Sequence, residues 1–247
     1  MNEGGKKLTL LGHFRELRKR LILGVIAVAI TTAVAFFFYD RIFDVLLLPA
    51  KDIQLVFIEM TEMVGTIMRV CLGAGIILAM PFLTLQAVLF IAPALTRREK
   101  KYIYVLLPWI TVMFLGGVVF GYFILIPPAT SFLLSFGSDI AVPQIKIGNY
   151  VSVITRLLLA IGLVFEMPVV LTFLARIGIV SSKWLAGKRK IAILLSFVMA
   201  AIITPTFDPV NQSLVAVPLI LLYEIGIWLA KLVERKKSAV PVTSPGS

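Results

Sequence analysis

From Tyr102 to Ser138 the chain carries no charged residue. A helix needs roughly 20 mostly apolar residues to cross a bilayer, so this run is more than one span long and has no place in a water-soluble core. The Pro127–Pro128 pair is predicted to break it near residue 126, because proline lacks the N–H and clashes with the preceding turn. Comparable runs occupy 21–39, 70–95, 152–175, 191–204 and 212–230. With 102–126 they make six predicted spans of an all-α membrane protein. They form a single membrane domain over 1–237, followed by a tail, 238–247, expected to be disordered. Of the 247 residues 60% are hydrophobic and 15% charged, against about 45–50% and 25% in soluble domains. That balance excludes a soluble enzyme, a disordered chain and a secreted disulfide scaffold. The first run is too long for a signal-peptide core and no small-residue cleavage site follows it, so it reads as a retained span.

The net charge of +11 is arranged in clusters between the runs, which is how membrane proteins set their orientation. Lys6, Lys7, Arg15, Arg18, Lys19 and Arg20 precede the first span. The connection at 41–64 carries only Arg41 and Lys51, with Asp40, Asp44, Asp52, Glu59 and Glu62 around it. Arg97, Arg98, Lys100 and Lys101 follow the second span, and Lys146 alone lies in 127–150. Arg176, Lys183, Lys188, Arg189 and Lys190 fill 176–190. No basic residue lies in 205–211, and Lys231, Arg235, Lys236 and Lys237 close the last span. The alternation at every crossing places both termini in the cytoplasm, and six spans agree with that parity. The two long outer connections are expected to carry short helices of their own. The fifth and sixth spans are short. A 191–204 helix covers about 21 Å against a hydrocarbon core of about 30 Å, so the hairpin is expected to thin the bilayer. A helix beginning earlier, near Trp184, with its lysines reaching to the interface is the other possibility.

No catalytic or cofactor motif is present. The one histidine, His13, lies outside the spans, and there is no H-E-x-x-H, G-x-S-x-G or Walker sequence. The chain therefore reads as neither an enzyme nor a nucleotide, metal or nucleic-acid binder. Cys71, the single cysteine, reads as a small core hydrophobe. Gly117-x-x-x-Gly121 fits a helix-packing motif. Glu166 stands in the middle of the fourth span, where a charge costs at least about 2.5–3.5 kcal/mol, and Pro168 is expected to kink the helix beside it. Glu16 and Glu99 are lone carboxylates inside basic clusters. Such a carboxylate suits an incoming guanidinium in a bidentate fork, but on these residues alone a surface ion pair, such as Glu16 with Arg20 at i, i+4, is the favoured reading. Glu224 could pair with the basic tail. In the last outer turn Asp208, Asn211 and Gln212 lie together, where Asp208 suits a helix cap.

Taken in order, these stretches resemble one family along nearly the whole chain. Leu11-Gly12-His13-Phe14-Arg15-Glu16-Leu17-Arg18-Lys19-Arg20-Leu21 is similar to the N-terminal signature of the TatC family, the multi-spanning subunit of the twin-arginine protein translocase. Phe90-Ile91-Ala92-Pro93-Ala94-Leu95 with Glu99 resembles its first cytoplasmic loop. Phe165-Glu166-Met167-Pro168 resembles its fourth span, and Thr204-Pro205 with Asp208 and Gln212 its last outer turn. The resemblance implies a concave, glove-like bundle in the cytoplasmic (inner) membrane. It implies that Glu16, Arg18, Phe90, Pro93, Leu95 and Glu99 receive the paired arginines of signal peptides on folded cargo. It further implies that Glu166, with Pro168 and Gln212, forms an intramembrane polar site where single-span TatA-type and TatB-type subunits dock, in an oligomeric complex driven by the proton gradient. Pro49 and Asp208 match outer-loop positions. The competing reading is a secondary transporter or proton channel using Glu166, but the inverted repeats common in such proteins are missing.

Overall fold

The structure, a computed structural model, describes residues 10–50, 55–135, 144–204 and 208–238. Of the predicted tail, Ser238 ends the last helix, and 239–247, like Pro205, lie outside the described residues. α1 (Leu10–Phe37) starts well ahead of the apolar run, because Glu16, Leu17, Arg18, Lys19 and Arg20 are all strong helix formers. After the short amphipathic α2 (Tyr39–Leu47) and a 3₁₀ turn over Leu48–Ala50, α3 (Glu62–Ile91) runs alongside α1. A second 3₁₀ turn, Ala92–Ala94, contains Pro93. α4 (Arg97–Phe120) leads through a five-residue π-turn, Gly121–Leu125, into α5 (Ile126–Ser135). α6 (Ile147–Val164) and α7 (Met167–Ile177) are separated by a turn at Phe165 and Glu166. The small α8 (Ser182–Gly187), α9 (Arg189–Ile203) and α10 (Pro209–Ser238) complete the chain.

Among the described residues five helical stretches are long and apolar enough to cross a membrane: Gly12–Phe37, Glu62–Ile91, Tyr102–Phe132, Ile147–Ile177 and Pro209–Arg235. Of the six predicted spans, the fifth, α9, is the one not among these. α9, with 15 residues, reaches only about 22 Å. The short fifth helix was foreseen, but the short sixth was not correct: α10 has 30 residues. Its helix continues through Lys231 and Arg235, which end an apolar run but not a helix, since both are good helix formers. The earlier start at Trp184 is also corrected, since α8 and α9 are separate helices joined at Lys188 (φ −98°, ψ 10°).

Pro127 and Pro128 do not break the third span. The Ile126 N–H donates to the Gly121 carbonyl, five residues back. The wider turn opens the helix just ahead of the two prolines and relieves their clash with the preceding turn. Pro168 does interrupt its helix, as expected: α6 stops and α7 restarts with proline in its first turn.

Cross-links between helix ends define two faces. At one, the His13 and Phe90 rings stack at 4.3 Å. There the Arg176 guanidinium also donates to Tyr102 Oη (2.5 Å) and to the Val233 carbonyl (3.4 Å). This face collects the basic clusters. At the other, acidic end, Tyr122 Oη donates to Val45 O (2.5 Å) and Tyr150 Oη to Leu46 O (3.2 Å). These two bonds hold carbonyls at the C-terminus of α2, where intrahelical partners run out. The Glu62 carboxylate accepts from the backbone N–H of Ile58 (2.9 Å) and of Gly148 (3.2 Å). It ties together the connections that lead into α3 and α6, which also pair as short parallel strands, β1 (Leu55–Val56) with β2 (Ile145–Lys146). α2 is a short helix in the first long connection, as expected there. The strands were not expected, because two-residue ladders leave no period-2 pattern to read.

The main core gathers Phe43, Val70, Leu125, Ile126, Ile161 and Leu219. Cys71 is buried and free, as a small hydrophobe. Large apolar side chains such as Ile30, Trp109, Phe123 and Leu194 are exposed on the flanks, as a lipid-facing surface requires. Replacing the buried Tyr150 by Phe should cost about 0.5–1.5 kcal/mol, the net worth of one hydrogen bond. Thermal unfolding in detergent would read this as a lowered midpoint. An unchanged midpoint would mean that the buried faces of Phe43 and Leu46 hold α2 unaided.

Candidate functional site on the basic face and in the fourth span

The site at the basic face is built on helix ends. Glu16 and Arg20 lie one turn apart on α1. The Arg20 Nε and Nη2 atoms both donate to Glu16 Oε1, at 3.1 and 2.5 Å. Arg20 Nη1 also reaches Gln86 Oε1 on α3 (3.4 Å). Both members of the pair keep about a fifth of their side-chain surface exposed, at 21% each, so the pair is accessible to solutes at the membrane surface. Beneath it lies an apolar groove between α1 and α3, with Leu17, Leu21, Leu83 and Phe90 among its walls. Arg18 is exposed on the opposite side of the helix turn, Phe90 is half-buried, Pro93 is exposed and Leu95 half-buried in extended backbone.

Glu99 is placed by a reciprocal cap. The Thr96 hydroxyl accepts from the Glu99 N–H (3.4 Å) while Glu99 Oε2 accepts from the Thr96 N–H (2.8 Å). This is a capping box, and Thr96-x-x-Glu99 spells it in the sequence. That signal was legible and was not used. The structure thus brings Glu16, Phe90, Pro93, Leu95 and Glu99 to one end of the bundle, with α1 and α3 in contact and α4 starting beside them.

Glu166 is a different kind of residue. It is 6% exposed, and neither carboxylate oxygen makes a hydrogen bond. The Phe114 backbone faces it without closing one. It occupies the turn between α6 and α7, and the α4–α6 contact locks the turn from the other side. Gly117 approaches so closely that an added Cβ would stand 2.8 Å from Phe165 Cβ and 2.9 Å from Gly162 Cα. Phe120 and Phe165 rings sit 5.2 Å apart. Gly121 faces Leu158 and Ile161 in the same seam, so the Gly117-x-x-x-Gly121 motif does pack a helix. Pro168 is buried, and its carbonyl accepts from the Thr172 hydroxyl (2.6 Å).

Gln212 does not join Glu166. Its Nε2 donates to the Phe197 carbonyl (2.9 Å), closing the α9–α10 hairpin. The part of α10 beside Pro168 is Gly226, about 21 Å further along the helix. Asp208 takes its expected role as a cap, accepting from the Asn211 N–H (2.7 Å) and side-chain amide (3.0 Å). Pro49 lies in the 3₁₀ turn after α2, at the acidic end with Asp208. Glu224 pairs with Arg189 of α9, at 2.6 and 2.9 Å, and not with the tail. A sequence cannot reveal which of several basic clusters folds back onto it.

The family model for "Sec-independent protein translocase protein (TatC)" matches residues 12–218. The chain belongs to the TatC family. A TatC of Carboxydothermus hydrogenoformans is 42% identical over 94% of this chain and 96% of that protein. One from Aquifex aeolicus is 38% identical over 94% and 99%. A crystal structure described as the twin-arginine translocase receptor TatC superimposes with a TM-score of 0.81 at 39% identity, covering 90% of this chain and all of that one. This TatC-family chain is a multi-spanning membrane component of a translocase and not an enzyme.

Proposed function

We propose that the chain is the receptor subunit for twin-arginine signal peptides of folded cargo, with Glu16 and Glu99 receiving the two arginines at a cytoplasmic basic face. One observation carries this reading: Glu16 already holds a guanidinium, that of Arg20, in an accessible pair. An arriving arginine can take the place of Arg20 at no cost in buried charge, and Arg20 can turn to Gln86. Glu99 offers the second carboxylate from a helix start held rigid by its cap. Arg18, Phe90, Pro93 and Leu95 would flank the bound peptide, and the apolar groove between α1 and α3 suits the hydrophobic segment that follows the arginines. Lysine, a point charge without the planar fork, binds more weakly at such a site.

In this reading both termini face the cytoplasm across the inner membrane, and the bundle presents a concave, glove-like face. Glu166 and Pro168 lie on that face and dock single-span TatA-type and TatB-type subunits in an oligomer, with transport driven by the proton gradient. The short α9 would thin the bilayer beside it. Gln212 and the outer-loop residues Pro49 and Asp208 support the architecture from the far end. The transporter reading loses ground, because the carboxylate it needs as a relay makes no hydrogen bond to another described residue.

The test is binding of a twin-arginine peptide to the protein in nanodiscs, beside a twin-lysine peptide. Glu16→Gln with Glu99→Gln is the informative variant. Glutamine keeps the capping box and removes only the charges. Arginine-selective binding that falls at least about tenfold in the double variant (about 1.4 kcal/mol) supports the receptor reading. Equal binding of both peptides sinks it.

A further inference from the structure

At the basic face, away from Glu16 and Glu99, α8, α9 and α10 enclose a cleft of about 820 Å³. Its walls include Lys183, Arg189, Lys231 and Arg235, with Glu224 and Glu234 as the acidic members. The two carboxylates are already engaged by other groups of the cleft wall. Glu224 holds Arg189, and Glu234 accepts from the Ser182 N–H (2.8 Å) and hydroxyl (2.6 Å). Lys183, Lys231 and Arg235 consequently converge on the cleft with no ion pair to another described residue. Two cations elsewhere on this face are held differently: Arg20 by Glu16 and Arg176 by Tyr102 and the Val233 carbonyl. Lys231 and Arg235 are also one helical turn apart, a like-charge pair that weakens its helix. The helix alone gains nothing from that arrangement.

The surroundings of the cleft are those of a membrane interface. Trp228 stands at it, 64% exposed, the usual level for an indole ring near headgroups. Along α10 an apolar stripe of Leu221, Ile225 and Trp228 recurs at helical spacing and is exposed. It leads from the cations toward the middle of the bilayer. α9 beside it exposes Leu194 and Val198. A ligand that fits must be anionic at one end and apolar along the rest.

We propose that this cleft binds one anionic phospholipid of the adjoining leaflet. Its phosphodiester sits among Lys183, Lys231 and Arg235, and its acyl chains lie on the stripe of α10 and the flank of α9. Basic pockets between helices at this level suit such headgroups. Because α9, at about 22 Å, is shorter than the hydrocarbon core is thick, a lipid held here fills the gap beside it and braces the α8–α10 corner. The proposal does not depend on which peptide the receptor site takes.

Native mass spectrometry of the detergent-purified chain tests it. Phosphatidylglycerol and phosphatidylcholine of equal chain length would be titrated, with inorganic phosphate as a third arm. One phosphatidylglycerol should be retained at least about tenfold more strongly than phosphatidylcholine. K183Q/K231Q/R235Q should lose that preference, while the charge-matched K19Q/K188Q/K190Q keeps it. Equal retention of the two lipids by the wild-type chain overturns the proposal, as does equal loss in both triple variants, which would mark a bulk-charge effect. Displacement of the lipid by millimolar phosphate would identify a free-anion site and overturn the lipid assignment. If the cleft triple variant fails to fold, K183Q and K231Q measured singly should each weaken the preference severalfold, and an undiminished preference in both overturns the proposal.

Discussion

Glu166→Leu should make the isolated subunit more stable and the translocase less competent. The wild-type carboxyl group is buried with both oxygens unbonded. Leaving a buried polar group unsatisfied costs about 1–3 kcal/mol, and an apolar residue of similar size recovers that amount. Thermal unfolding of the purified subunit should therefore shift upward. If the carboxyl group is kept for a partner helix, the same substitution should reduce copurification of single-span subunits by about tenfold or more. Glu166→Gln separates the chemistry. It retains hydrogen-bonding capacity without charge, so intact copurification in this variant means that the partner needs a hydrogen bond and not a carboxylate. Undiminished copurification with Leu would remove Glu166 from the docking site. A lowered midpoint with Leu would show that the carboxyl has a structural partner.

Gly117→Ala and Gly116→Ala should have opposite signs although the residues are neighbours. At Gly117 a Cβ meets Phe165 and the Gly162 backbone at 2.8–2.9 Å, and neither a ring root nor a main chain can step aside. Overpacking of this kind costs about 1–3 kcal/mol, and Gly117→Val should cost more. Gly116 points away from the seam, and a Cβ there meets nothing within 4 Å. Alanine at that position should gain up to about 1 kcal/mol from helix propensity. Paired thermal melts of the two variants in the same detergent check this. Equal destabilisation would mean that α4 is rotated from the orientation described. Because Phe165 adjoins Glu166, Gly117→Ala should also weaken partner copurification, and Gly116→Ala should not.

Much of the site was readable because its residues contradict their surroundings. A carboxylate in a run such as Leu163-Val164-Phe165 has no cheap reason to be there, so Glu166 was visible at once. Glu16 and Glu99 were visible as acids among bases, yet the chemistry of those residues alone favoured a surface pair, and only the family resemblance pointed to a receptor. The structure finds the pair for Glu16 and a cap for Glu99, and both leave the carboxylates on the basic face. Gln212 was grouped with Glu166 on the family resemblance, and the helix rise separates them. The clamp made by Glu62 was missed, since its partners are the backbone N–H groups of Ile58 and Gly148, which every residue but proline carries.

Charge and apolar run length alone determined that this chain is a helical membrane protein with its basic clusters on one face. Both follow from the cost of moving charge and unbonded backbone into hydrocarbon, which is a local property of each segment. Where each helix ends, and what touches what, was decided only by the tertiary structure. The apolar run closes at Ala230 but the helix does not, because helix propensity ignores the water boundary. Pro127 and Pro128 stay helical because a π-turn upstream absorbs them. Arg189 meets Glu224 and Ser182 meets Glu234 because α8, α9 and α10 fold into one corner. Such contacts join residues far apart in the chain, and no local pattern encodes their distance.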